Sequence, residues 1–229
     1  MQLNILKPLL KELGQKLLVK LKYKKYFRKT SLKQPGVGDF FLKEIADNKP
    51  KVFLEVGVFH GVTARNVCEL LQRMHKKDFQ YVGLDLFEEN LENENEVIPN
   101  TKFSNPIKNI YFKYIKRQDP YSLEAVENFL KKFKNNISLI KGNSNKLLKK
   151  IDMSKVDYVF LDGGHDYLTV KNDLNCCKEV VSNGGIILCD DYNLSYAPGV
   201  KKAVDEFVKE KGFQYSIICE DRFAKIEKK

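Results

Sequence analysis

The chain has 229 residues, 43% hydrophobic and 31% charged. That composition buries a full core without staples and excludes a disordered or fibrous polymer. The net charge of +10 is concentrated in residues 1–35, where ten Lys/Arg face the single acid Glu12. The rest of the chain is therefore electrically balanced, which argues against a basic groove around a catalytic centre, and no nucleic-acid partner is expected. Apolar runs such as Gly185–Cys189 are far too short to span a bilayer, and lysines from Lys7 onward interrupt any signal-like segment. The five cysteines (Cys68, Cys176, Cys177, Cys189, Cys219) lack CxxC spacing. They read as reduced thiols of a cytoplasmic protein, not as a zinc site or a disulfide frame.

Residues 6–23 place Leu6, Leu9, Leu10, Leu13, Leu17 and Leu21 at helical spacing among lysines, which predicts a basic amphipathic helix. Its apolar face is expected to pack on the body or on a second subunit of a homo-oligomer. Peripheral contact of residues 1–30 with an anionic membrane is the competing reading. A turn-rich joint at 30–38 and a short helix at 39–46 follow. The division expected is a helical extension over 1–35 and one α/β domain over 36–229.

From Lys51 onward strands alternate with helices. Strands are predicted at 52–57, 80–85, 137–141, 157–162, 185–190, 213–219 and 222–227. Helices are predicted at 61–75, 121–134, 144–151, 167–182 and 198–211. This rhythm implies a mostly parallel sheet covered on both faces. The tight Glu220–Asp221 turn makes the last two strands an antiparallel hairpin. Residues 87–120, acidic and then aromatic-basic, interrupt the rhythm and read as a lid or substrate wall.

Open α/β sheets bind ligands beyond the carboxyl ends of their strands. Glu55, Asp85, Asp162 and the pair Asp190–Asp191 end four of the predicted apolar strands, so several carboxylates share one rim and point to a polar ligand or a metal. The first strand-to-helix turn, LEVGVFHGVT, spaces Gly57 and Gly61 as G-x-x-x-G. Backbone can approach a ligand closely there, and the following helix offers free N–H groups. The spacing is not the G-x-G-x-x-G of a nicotinamide or flavin site. Asp85 is placed to accept the hydroxyls of a ribose.

Glu55-Val-Gly57-Val-Phe-His-Gly61, Asp85, Gly142-Asn143-Ser144 and Asp157-Tyr-Val-Phe-Leu-Asp162-Gly-Gly-His165-Asp-Tyr167 together resemble the class I S-adenosylmethionine-dependent methyltransferases. The likeness is strongest to the branch of macrocin-type sugar O-methyltransferases and cephalosporin-hydroxylase-like proteins, with catechol O-methyltransferase more distant. It runs from about Lys51 to Phe207. It implies a Rossmann-like seven-stranded sheet ordered 3-2-1-4-5-7-6 and S-adenosylmethionine as cofactor. Gly57, Gly61 and Thr63 would surround its amino-acid end, Asp85 its ribose, and Asn143 with Ser144 its adenine. Glu55 and Asp162 belong to the same cofactor-binding set. Asp162, Asp190 and Asp191 match positions that bind a divalent cation in that branch, and His165 matches its general base. Catechol-type enzymes carry Asn after the strand-five Asp, whereas here Tyr192 follows two acids.

A hard cation on carboxylates acidifies a coordinated hydroxyl, and a nearby imidazole takes its proton. Oxygen-only ligands favour Mg²⁺ over zinc. The expected activity is O-methylation of a small molecule or sugar. A nucleic-acid methyltransferase is a weaker reading, because Asp162-Gly-Gly-His replaces the Asp/Asn-Pro-Pro-aromatic run of enzymes that methylate exocyclic amines. The same fold would also serve a non-catalytic adaptor or a cephalosporin-hydroxylase-like enzyme.

Overall fold

The computed structural model describes residues 21–87 and 100–228. Most of the predicted helix at 6–23 and the acidic run of the insertion therefore lie outside the described residues. Seven strands form one sheet: β1 Val52–Val56, β2 Gln80–Asp85, β3 Ile137–Lys141, β4 Tyr158–Leu161, β5 Ile186–Cys189, β6 Gln214–Ile218 and β7 Phe223–Glu227. Their order is 3-2-1-4-5-7-6, as the resemblance implies. β1 to β5 pair in parallel, and β7 runs antiparallel between β5 and β6.

The helices are α1 Val37–Asn48, α2 Val62–His75, α3 Pro106–Ile110, α4 Leu123–Leu130, α5 Ser144–Leu147, α6 Tyr167–Ser182 and α7 Pro198–Lys211. Local chemistry sets their ends. The Ser122 and Asp166 side chains cap the first N–H groups of α4 and α6, Pro198 opens α7, and left-handed Gly212 closes it. The predicted helices at 121–134 and 144–151 are shorter than expected, each passing into a 3₁₀ turn at Lys131–Phe133 and Leu148–Lys150.

Alternation along the strands divides the core. Phe53, Tyr81, Tyr158, Phe160, Leu188 and Phe223 pack beneath α1 and α2, while Leu54, Val56, Val159, Ile187 and Ile226 pack beneath α6 and α7. Both faces being buried explains why the parallel strands read as near-continuous apolar runs.

The N-terminal segment departs from expectation. Leu21–Lys25 is not helical, and Tyr23 and Leu32 are buried in the core beneath α1 and α2. The strap from residue 21 to a 3₁₀ turn at Ser31–Lys33 is thus built into the domain. Arg28 fastens it by donating to the carbonyls of His60 (3.1 Å), Pro120 (2.9 Å) and Ala125 (3.1 Å). Its guanidinium also lies 4.4 Å from the centre of the Phe129 ring. The end of the insertion packs on the strap: Phe27 meets Tyr111 edge-on, and the Arg28 guanidinium lies over the Phe112 ring.

Arg28→Ala strands three carbonyls at once, so urea unfolding should show a loss of about 2–4 kcal/mol. Lys24→Ala, which removes a half-exposed ion pair with Glu69 and a distant contact with the Tyr26 ring, should cost no more than about 1 kcal/mol.

Candidate active site

Glu55 is the fourth residue of β1 and fully buried. Its Oε2 accepts a hydrogen bond from Tyr81 (2.7 Å), while Oε1 has no partner among the described residues. Burial, with the Asp85 charge adding to it, pushes this carboxyl up to about 8 despite the Tyr81 hydroxyl. Gly57 follows at a φ of 96°, and a Cβ there would lie 2.1 Å from the Asp162 carbonyl oxygen. The glycine is thus required by the close approach of the β1 and β4 ends. Gly61 is the N-cap of α2. Thr63, in its first turn, is hydrogen-bonded to the Tyr23 hydroxyl at 2.7 Å, so the strap reaches into this side of the site.

Asp85 is buried at the end of β2. It accepts from the Phe59 amide (2.7 Å), the Phe87 amide (3.2 Å) and the Tyr121 hydroxyl (2.7 Å). Asn143 caps α5 by accepting from the Asn145 amide, and the Ser144 hydroxyl donates to buried Asp173 at 3.2 Å. The predicted cofactor residues therefore line the rim from β1 to β3.

The second half of the rim holds the acids. Asp162 and Asp190 stand one residue beyond β4 and β5. Burial first, and then the charges of Asp190 and Asp191, raise the Asp162 carboxyl well above the usual carboxylate range, and Ser31 donates to it at 3.0 Å. Asp191 has a left-handed φ of 59°. It accepts from Tyr196 (2.9 Å) and faces His165 Nε2 at 3.0 Å. Although burial opposes them, these two partners hold its carboxyl below the usual range. The His165 loop is itself clamped: a Cβ at Gly199 of α7 would lie 2.6 Å from the His165 carbonyl oxygen and 2.5 Å from the Tyr167 amide nitrogen.

Asp190 is spoken for. Arg222 forks onto both its oxygens, Nε to Oδ1 and a terminal nitrogen to Oδ2, each at 2.7 Å. Both side chains are almost fully buried, and the guanidinium also lies 3.6 Å from Asp191. Burial raises Asp190 to about 6 against the pull of Arg222. The Mg²⁺ expected at Asp162, Asp190 and Asp191 does not fit this arrangement, because the Arg222 guanidinium already occupies both oxygens of Asp190 and lies beside Asp191. Among the described residues, no group of three or more His, Cys, Asp or Glu side chains is arranged to hold a metal ion.

A methyltransferase-domain family model matches residues 54–192, the stretch from β1 through the acidic pair. The chain belongs to the methyltransferase-domain family. In fold it is a class I S-adenosylmethionine-dependent methyltransferase. The O-methyltransferase NovP superposes with a TM-score of 0.63 at 18% identity, covering 84% of this chain and 81% of that one. The TDP-rhamnose 3′-O-methyltransferase CalS11 gives 0.59 at 15% identity, covering 86% and 81%. The Podospora anserina methyltransferase PaMTH1, in an SAH-bound structure, gives 0.54 at 20% identity, covering 84% and 77%. An uncharacterized protein, R132 of Acanthamoeba polyphaga mimivirus, is 41% identical over 54 residues, which is 23% of this chain and 24% of that protein.

Sequence reasoning missed Arg222, Tyr23, Ser31, Tyr121 and Tyr196 in this methyltransferase. The available signal for Arg222 was the hairpin. A strand running antiparallel beside β5 must begin where β5 ends, so the residue before it faces the acidic pair. The others arrive through loops, whose paths carry no periodicity to read.

Stability should report the Glu55 proton. The folded chain keeps it to about pH 8, whereas the group's ordinary value is 4.5. The folded state therefore binds more protons within that window, and stability falls as pH rises through it. Glu55→Gln should flatten a decline of about 3–5 kcal/mol between pH 4.5 and 8, followed by urea unfolding at each pH.

Proposed function

We propose that this chain is an O-methyltransferase that transfers the methyl group of S-adenosylmethionine to a hydroxyl of a small molecule or sugar. The observation that carries the reading is the His165–Asp191 pair at 3.0 Å, placed on the same rim as the buried acceptors Glu55 and Asp85 in a methyltransferase-family chain. The unpartnered Glu55 Oε1 would accept from the cofactor's ammonium group, whose charge favours loss of the Glu55 proton, and Asp85 suits its ribose hydroxyls. Asn143 and Ser144, at the start of α5, line the position for the adenine. When bound, the cofactor supplies an electrophilic methyl group on a sulfonium, so the protein has to align an oxygen and relieve it of its proton.

His165 suits that second task. Its neutral imidazole, oriented by Asp191 at Nε2, takes the hydroxyl proton. Asp191 fixes the ring and favours the imidazolium that results, while Tyr196 fixes Asp191. The pair itself lines a narrow cavity with Asp162, Gly163, Gly164 and Asp190. A separate open cleft, lined by Tyr192, Leu194, Pro198, Lys201, Lys202 and Glu206, lies along the first turns of α7 and is the proposed acceptor position. NovP and CalS11 are themselves described as O-methyltransferases, the second acting on TDP-rhamnose, which favours a sugar hydroxyl. No step here passes through a metal.

No helix among the described residues is long and apolar enough to cross a membrane. Residues 21–33 pack on the body through the buried Tyr23 and the hydrogen bonds of Arg28, whereas the leucine-bearing stretch before them, for which packing on the body is the preferred reading, lies outside the described residues.

The test uses methyl-labelled cofactor with a panel of nucleotide sugars, free sugars and phenols, and the expected product is a methyl ether. His165→Ala should slow turnover about 10²–10⁴-fold, with cofactor affinity unchanged by calorimetry. Asp85→Ala should weaken cofactor binding by about 1.5–3 kcal/mol. Labelling of only nitrogen or carbon acceptors would overturn the reading.

A further inference from the structure

The Arg222 fork was not expected, and it decides how the rim is neutralised. β5 and β7 are antiparallel with Cys189 opposite Ala224, so two residues further toward the rim Asp191 comes opposite Arg222. The Tyr192 amide donates to the Arg222 carbonyl at 2.9 Å, which extends the pairing past the strand end. The turn that delivers Arg222 is tightly wound: Cys219, Glu220 and Asp221 all have left-handed φ values of 52–64°. Such backbone is costly for residues other than glycine and persists only where its surroundings impose it. The guanidinium then lies beneath the acids, with the Arg222 side chain 7% exposed and that of Asp190 1% exposed.

We propose that Arg222 is the resident cation of this rim: its guanidinium holds the charge and the place among Asp190 and Asp191 that a divalent metal would take, so the site binds no metal. This deepens the O-methyltransferase reading and rests on it, because it names what compensates the acids that position His165. Three carboxylates at one rim invite a hard cation, since hard divalent cations are held by several anionic oxygens. A buried guanidinium meets the same need differently. Its planar fork matches both oxygens of one carboxylate, and it cannot be deprotonated or exchanged. With both Asp190 oxygens forked at 2.7 Å, and Asp191 held by Tyr196 and His165, a metal could enter only by breaking the fork. Arg222 is thus a positioning residue. It holds Asp190 and Asp191 in place, and Asp191 in turn orients His165.

Metal binding can be measured without cofactor or acceptor, so failure of this inference is distinguishable from failure of the reading it rests on. Mn²⁺ is titrated into the full chain with electron paramagnetic resonance as the readout, and melting is followed with and without Mg²⁺. Wild type should hold no stoichiometric Mn²⁺ and should show no Mg²⁺-dependent shift in melting. Arg222→Met leaves a buried acid without its partner, so its melting temperature should fall by roughly 10 °C. The variant should gain Mn²⁺ binding, and Mg²⁺ should restore part of the lost melting temperature. Arg222→Met combined with Asp190→Asn removes both charges; it should melt nearer to wild type and bind no Mn²⁺. If methyl transfer is found, chelator should leave the wild-type rate and its pH profile unchanged, and Arg222→Lys should keep that profile better than Arg222→Met. One Mn²⁺ per wild-type chain, lost in Asp190→Asn, would overturn the proposal even if Arg222→Met does not fold.

Discussion

Burying carboxylates at the ends of adjacent parallel strands is costly, because each ionised group leaves water for a medium that solvates it poorly. Here Asp190 and Asp191 are buried and Asp162 is partly buried beside them at the ends of β4 and β5. The chain answers in three ways: a proton favoured on Asp162, a guanidinium forked onto Asp190, and a histidine and a tyrosine turned onto Asp191. Much of the architecture serves those answers. The reversed β7 brings Arg222 to the rim, α7 clamps the His165 loop, and the strap supplies Ser31 to Asp162.

The fold was legible because its signals are local and repeated. Strands buried on both faces show as apolar runs, and amphipathic helices such as α7 keep Val200, Val204, Phe207 and Val208 on one buried side. The rim was legible for a related reason: carboxylates at the ends of apolar strands must meet wherever those strands lie side by side. By that logic Glu55, Asp85, Asp162, Asp190 and Asp191 belong on one edge, and the ends of β1, β2, β4 and β5 carry them there.

What the sequence hid depends on long-range meetings between irregular segments. The spacing of leucines up to Leu21 suggested a helix running to residue 23, but Tyr23 lies in a non-helical path where its hydroxyl reaches Thr30 and Thr63 at once. Tertiary hydrogen bonds outweigh helix propensity there, since one residue's propensity is worth less than a buried hydroxyl's partners. The metal expectation met a comparable obstacle. Counting acids at strand ends says nothing about a basic residue entering from a hairpin far along the chain, and Arg222 changes the meaning of all three.

The contact at Gly199 also links parts of the molecule that have different tasks. The first turn of α7 rests directly on the backbone of residues 165–167, while Pro198 and Lys201 of the same helix line the neighbouring cleft. With no side chain between them, the helix and the histidine loop have no slack in which to move separately. Any tilt of α7 that widens or narrows the cleft is carried into the direction in which the imidazole points. On the proposed reading of His165 as base and the cleft as acceptor site, recognition and aim are therefore mechanically coupled, and a change of preferred acceptor would have to retune both together.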